Sequence, residues 1–430
     1  MTYTVTRSSG VMVQPCESTP SGTLNLSVID KLPMLQVNPR TLHVFRHGHE
    51  VGKVVREALS KALVPYYPLA GRLIESSEGE LQIACTGDGV WFVEASSDCT
   101  LDFVNYFDNV PLLSTDDLYP PSPPKSYDVN PLIQLQITSF ACKGFTVGLV
   151  DSHTVIDGLG SVQFHTAVGE FARGFLHPTI APVWHRDRIP APAKLTRALG
   201  DPKLLPLPQP STPSYQLEYA CTDFSLSQIN KLKNEYLELT GKHCSTFDVV
   251  AATLWRQRTR ALDLEKHTVV ILAFAINARQ ILNPPLPTGF YGNCIFPASV
   301  SISSGCLLKA SNAEVVKLIK DAKDRAPTEF TKWIKSNEVD DSDDVFAISL
   351  YHTLYLSDWR HLGIDQIDYG WGHSVNVIAA GGSIVPAGLV GVSPTVNNGT
   401  RLMTWCVTKE HLSSFLYHAD NITSDIISKL

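Results

Sequence analysis

The run Gly144-Phe145-Thr146-Val147-Gly148-Leu149-Val150 leads into His153-Thr154-Val155-Ile156-Asp157-Gly158, and Leu159 to Arg173 follows. The first run reads as a strand and the last as a helix. The residues between them decide what the pair is for. A histidine at the end of a buried strand is held rigidly, yet its imidazole can face a cleft. Near neutral pH it can take a proton from an alcohol or amine and later return it. A bland reading also exists, in which the histidine is satisfied by neighbours and the aspartate caps a turn. A metal pair is a third reading, because i and i+4 share a helix face. β-Branched Thr154, Val155 and Ile156 disfavour a helix here, and no third or fourth ligand follows locally, so no metal site is read.

Outward from this stretch, a second motif stands near the other end of the chain: Asp368-Tyr369-Gly370-Trp371-Gly372. Two glycines around a tryptophan allow tight turns beside a large ring, which also suits a packing corner. Further segments are Leu63-Val64-Pro65-Tyr66-Tyr67-Pro68-Leu69-Ala70-Gly71-Arg72-Leu73, Ser245-Thr246-Phe247-Asp248, Asn277-Ala278-Arg279, Asn283-Pro284-Pro285-Leu286-Pro287 and Gly289-Phe290-Tyr291-Gly292-Asn293. In this order and spacing, the chain resembles the BAHD family of plant acyl-CoA-dependent acyltransferases, which carry HxxxDG in mid-chain and DFGWG towards the C-terminus. Tyr369 stands where that family usually has phenylalanine. The resemblance covers essentially the whole chain. It looks closest to the branch holding taxane O-acyltransferases, benzyl-alcohol benzoyltransferases and grass monolignol p-coumaroyltransferases.

The resemblance implies an α/β fold of two similarly built domains with mixed sheets, chloramphenicol-acetyltransferase-like, with a channel between them. Residues 1–184 would form the first domain, 185–214 a crossover linker and 215–430 the second. Part of the 368–400 region would pack with the N-terminal half. His153 would sit at the domain interface as general base. It would deprotonate an acceptor hydroxyl that attacks an acyl-CoA thioester, with no covalent acyl-enzyme. Asp157 would support the fold by pairing with Arg279; a catalytic dyad with His153 is the competing reading. Asp368 would fix its own loop. Tyr369, Gly370, Trp371 and Gly372 would lie beside the cofactor channel, with the Trp371 indole as an oxyanion donor. Ser245, Thr246 and Phe247 would line the CoA path at a helix start, where N–H groups favour phosphate, with Ala278, Arg279 and Gln280 at its edge. Plain helix capping also accounts for Ser245 and Thr246.

No permanently bound cofactor is implied; acyl-CoA is a co-substrate. Relatives that acylate shikimate place an arginine seven residues before the aspartate of DFGWG. Here His361 holds that position and Arg360 adjoins it, which favours a neutral alcohol acceptor and leaves open that Arg360 turns in. An aromatic acyl group such as p-coumaroyl or benzoyl is favoured over acetyl. A polyamine or aromatic amine acceptor is the alternative, and a catalytically silent CoA-binding protein a second. A hydrolase is not favoured, because G-x-S-x-G is absent.

Composition agrees with such an enzyme. At 430 residues the chain exceeds one ordinary core, so two domains are expected. Its 44% hydrophobic and 18% charged content describes a globular protein. A formal charge of −7 without a basic patch argues against nucleic acid. Nine scattered cysteines, no signal-like N-terminus and no long apolar run point to the cytosol and away from membranes. The resemblance implies a monomer.

Local patterns give further expectations. Val51 to Ala62 reads as an amphipathic helix, Thr246 to Ala261 as a further helix, and Ser225-Leu226-Ser227-Gln228 as a capping box opening a helix that Gly241 stops. Ile133 to Thr138 reads as a half-buried strand, Val269 to Ile276 as a fully buried one, and Ala313 to Arg325 as a helix stopped by Pro327. The Pro-rich 185–214 stretch reads as linker and the acidic run 338–344 as a solvated loop.

Overall fold

The computed structural model describes residues 3–108, 114–124, 130–191, 215–335, 351–383, 385–394 and 399–420. The proline-rich part of the expected linker, 192–214, and the acidic run lie outside them.

The first half supplies β1 (Val5–Arg7), β2 (Val11–Val13), β3 (Thr23–Asn25), β4 (Arg40–Phe45), α1 (Val51–Ala62), β5 (Arg72–Glu75), β6 (Leu81–Ala84), β7 (Val90–Ser97), β8 (Ile133–Ser139), β9 (Phe145–Asp151) and α2 (Gly158–Ala172). The second half supplies β10 (Leu217–Phe224), α3 (Leu226–Thr240), α4 (Thr246–Ala261), β11 (Val269–Asn277), β12 (Ile295–Ser303), α5 (Ser304–Lys309), α6 (Asn312–Lys335), β13 (Thr353–Asp358), β14 (Asn376–Ala380), β15 (Ala387–Val392), β16 (Thr400–Thr408) and α7 (Lys409–Asp420).

Two mixed sheets organise these elements. One runs β1-β7-β8-β9-β4-β14, with β2 also against β7; the other runs β10-β16-β15-β13-β11-β12. A small third sheet is β3-β6-β5. β14 comes from the second half of the chain yet pairs antiparallel with β4, Asn376 opposite Val44 and Ala380 opposite Arg40. The two halves are therefore stitched through backbone hydrogen bonds.

α1 buries Val51, Val55, Ala58, Leu59 and Ala62, a stripe at i, i+4, i+7, i+8, against the first sheet's core. α2 is enclosed more fully. A Cβ at Gly160 would strike the Tyr291 carbonyl oxygen, and one at Gly169 that of Asp368. These two glycines let second-half backbone press against both ends of α2.

Three expectations need correction. The helix expected to stop at Pro327 continues to Lys335. Its buried stripe runs on through Ile319, Ala322, Ala326, Phe330 and Ile334, and that packing outweighs the one backbone bond proline removes. β8 is buried on both faces, not one: Gln136 and Thr138 are inaccessible. Gln136 Nε2 donates to the Asp117 carbonyl at 2.8 Å and its Oε1 accepts from Arg7 Nε at 3.0 Å, so the polar face is satisfied internally. β11 is only partly buried, with Val269 and Ala275 exposed. Among the described residues no helix is long and apolar enough to cross a membrane.

Candidate active site

β9 ends at Asp151, and the chain turns sharply there: Val155 N–H donates to the Ser152 carbonyl at 3.0 Å. His153 N–H donates to the Val37 carbonyl at 2.9 Å, which pins the turn to the first half. The His153 ring is half-buried, and its Nδ1 lies 3.0 Å from Asn293 Oδ1. Asn293 belongs to the segment entering β12. It is fully buried, and its Nδ2 donates to the His153 carbonyl and to Asp30 Oδ1, both at 2.8 Å. Its backbone N–H also donates to Asp30 Oδ1, at 3.2 Å.

Asp30 is a buried hub. Besides Asn293 it accepts from Ser27 N–H at 2.9 Å, Ser27 Oγ at 2.7 Å and Arg186 Nε at 2.9 Å. The Arg186 guanidinium stacks on Trp184 at 3.5 Å and also donates to the Val155 carbonyl. Every partner is fixed, so the pair is a satisfied buried salt bridge.

Asp157 caps α2, accepting from Gly160 N–H at 3.0 Å. Arg279 Nη2 donates to it at 2.8 Å and Cys294 N–H at 3.3 Å. Burial pushes this carboxyl up, but the Arg279 charge and the hydrogen bonds prevail and hold it below the usual carboxylate range. Burial lowers Arg279 and Asp157 raises it, with the guanidinium ending above its ordinary value. Arg279 donates onward to the carbonyls of Phe290 at 3.3 Å and Gly292 at 2.7 Å. Both Asp157 oxygens are thus engaged away from His153, and the dyad reading has no geometric basis.

The second motif lies elsewhere. Asp368 Oδ1 accepts from Gly370 N–H at 2.7 Å and Gly372 N–H at 2.9 Å, tying the loop. Arg173, just after α2, donates to the Asp368 carbonyl. The Trp371 ring meets Phe145 edge-on at 5.6 Å, and Tyr369 meets Phe45 at 5.7 Å. Phe145 opens β9, whereas His153 follows its end; at roughly 3.3 Å per residue these are about 20 Å apart. α2 measures the same separation: Asp157 caps its start, Gly169 and Arg173 touch the motif at its finish, and fifteen residues span about 22 Å. The Trp371 indole is far too distant to donate to an oxyanion beside His153, which corrects that expectation.

Of the residues expected along a CoA path, Ala278 and Arg279 are buried, Arg279 against Asp157, and Gln280 is exposed. Ser245, Thr246 and Phe247 open α4. Ser245 Oγ accepts from Asp248 N–H at 3.1 Å, Asp248 Oδ2 accepts from Ser245 N–H at 2.7 Å, and Lys323 Nζ reaches Asp248 Oδ1 at 2.5 Å. Phe247 packs on Phe274 of β11 at 5.5 Å. Phe274 stands five positions before Arg279, so this group lies on the order of 15 Å from the Asp157–Arg279 pair, along β11.

Arg360 is held bidentately by Asp358, Nε to Oδ1 at 2.9 Å and Nη2 to Oδ2 at 2.6 Å. Leu362 lies over Gly158 at the start of α2, and the seam beside it opens as a cleft lined by Trp359, Ile364, Asp365, Asn376, Val392 and Met403. Asp30, Arg186 and the role of Asn293 escaped the sequence reading. A lone aspartate inside Val28-Ile29-Asp30-Lys31-Leu32 was the one available signal of a buried carboxylate. Arg186 fell within what read as linker.

Set against known proteins, this arrangement has clear relatives. The Transferase family model matches residues 3–422. Acyl transferase 4 of Oryza sativa subsp. japonica is 40% identical over 442 residues, covering 96% of this chain and 98% of that one. A myricetin 3-O-glucosyl 1,2-rhamnoside 6'-O-caffeoyltransferase, AT2 of Crocosmia x crocosmiiflora, is 40% identical over 438 residues, covering 98% and 100%. The chain belongs to this Transferase family, the BAHD acyltransferases, and is an acyltransferase enzyme. In fold it is similar to vinorine synthase, with a TM-score of 0.73 at 18% identity over 96% of each chain.

Proposed function

We propose that this enzyme moves an acyl group from acyl-CoA to the hydroxyl of a small neutral alcohol of plant specialised metabolism, with His153 as general base. The observation that carries the reading is the half-buried His153 ring, anchored through one nitrogen at a junction of both chain halves. The hydroxyl gives its proton to the imidazole and its oxygen attacks the thioester carbonyl. The tetrahedral intermediate collapses, and the imidazole returns the proton to the departing thiolate. Ala278, Arg279 and Gln280, with the more distant Ser245, Thr246 and Phe247, would flank the CoA arm. An aromatic acyl group, p-coumaroyl or benzoyl, is favoured by family branch.

The neutral acceptor follows from charge. Asp358 clamps Arg360, so its guanidinium is not free to stand in for the arginine that shikimate-acylating relatives carry at the His361 position. Asp30 and Asp157 beside His153 are both ion-paired. A second reading, transfer to an amine, draws on Asp365 in the seam cleft. We further take residues 1–184 and 215–430 as two domains of a cytosolic monomer.

Mass-spectrometric screening of acetyl-, malonyl-, benzoyl- and p-coumaroyl-CoA against alcohols and amines tests the whole. Ester products are expected. Amides alone would select the second reading, and CoA binding without any product would mark a silent protein.

A further inference from the structure

We infer that Asn293, itself held by Asp30, is the positioning residue that fixes His153 in the tautomer a general base needs. This rests on reading His153 as the base. The assignment follows from donors and acceptors alone. The His153 carbonyl and Asp30 Oδ1 both lie 2.8 Å from one end of the Asn293 amide. Both are pure acceptors, so that end must be the NH2 and the other end the oxygen. The oxygen faces His153 Nδ1 at 3.0 Å. An amide oxygen can only accept, so Nδ1 carries the proton. The lone pair is then left on Nε2, and no partner occupies Nε2 among the described residues.

The arrangement performs the task that a buried carboxylate performs in hydrolase triads, with a neutral amide in its place. The His-x-x-x-Asp aspartate does not do this; it is spent on Arg279, Gly160 and Cys294. Asp30 acts one step further back. Gripped by Arg186 and Ser27, it draws the Asn293 NH2 away from the ring and prevents the amide from turning over. A neutral orienting group also leaves the imidazolium less stabilised than a carboxylate would, which suits a base that must hand its proton back to a thiolate.

Long-range proton–nitrogen NMR of full-length protein labelled with nitrogen-15 histidine reads the tautomer directly. The His153 signal is identified by its loss in His153→Gln. In the neutral form the wild type should carry its proton on Nδ1. In Asn293→Ala the proton should redistribute towards Nε2, and kcat with p-coumaroyl-CoA and benzyl alcohol should fall about 10- to 100-fold with KM for the CoA ester little changed. Wild-type protein with its proton on Nε2 would overturn the inference even if Asn293→Ala failed to fold. So would Asn293→Ala with unchanged tautomer and kcat. If His153→Gln itself kept full activity, the base reading would fail instead.

Discussion

The two ends of α2 carry the two family motifs, and they are built from opposite materials. At its start, His153 and Asp157 stand among buried charges: Asp30 with Arg186, and Asp157 with Arg279. At its finish, the Asp368–Gly372 loop is tied by its own Asp368 hydrogen bonds and by Arg173, and packs by rings, Trp371 on Phe145 and Tyr369 on Phe45. Both ends join the two halves of the chain. One does so through directional, fully partnered polar contacts that orient a reactive group. The other does so through aromatic packing, an Arg173 contact to Asp368 and a loop that leads into β14. Motif strength in a sequence therefore says little about nearness to chemistry.

The contrast can be broken by substitution at either end. Asp157→Ala leaves Arg279 buried without its partner and should destabilise the protein by roughly 3–5 kcal/mol, read by chemical unfolding. A stable, well-folded and inactive Asp157→Ala would restore the dyad. On β4, burial and the neighbouring His165 of α2 push His43 down to about 3, against a weaker opposing pull from Asp151. Its folded value lies below its unfolded one near 6.5, so the unfolded chain binds the extra proton first. Stability from this group is full above about pH 6.5 and falls as the pH drops towards 3, by up to roughly 1.4 kcal/mol per unit. Urea titrations across that range should show a slope that His43→Asn flattens.

At the aromatic end, Trp371→Ala removes a half-buried ring and should cost about 2 kcal/mol while leaving kcat of the folded fraction within about twofold. A collapse of kcat with normal stability would return Trp371 to the active site. The smallest effect is expected at Tyr369→Phe. The Tyr369 hydroxyl is buried without a protein partner among the described residues, and burial raises its pKa. Removing it should be neutral or stabilising by about 1 kcal/mol; a loss of stability would reveal a partner for it.

Much of this was legible before any coordinates. The β9-turn-α2 unit followed from an apolar run, a β-branched turn and a glycine opening a helix. α3 followed from its capping box, Ser225 with Gln228, because local hydrogen bonds fix that end; α4 was legible as a helix with Ser245 as a cap, to which the structure adds a reciprocal bond with Asp248. The Asp157–Arg279 pair came from family resemblance, and its geometry agrees. What failed depended on tertiary contact. Pro327 reads as a stop until the stripe beyond it is seen to pack. Gln136 reads as solvent-facing until Arg7 and Asp117 cover it. Trp371 could not be ranged from His153, since distance along a folded helix is not encoded by spacing between motifs. Asn293 was quoted without a role because its partners, His153 and Asp30, come from distant segments.

Turnover of His153→Ala, measured beside Trp371→Phe with the acyl-CoA and acceptor pair the screen selects, tests the account most directly. The histidine variant should lose roughly 10²-fold or more in kcat while remaining folded, and the tryptophan variant should match wild type. Wild-type turnover in His153→Ala would contradict the account.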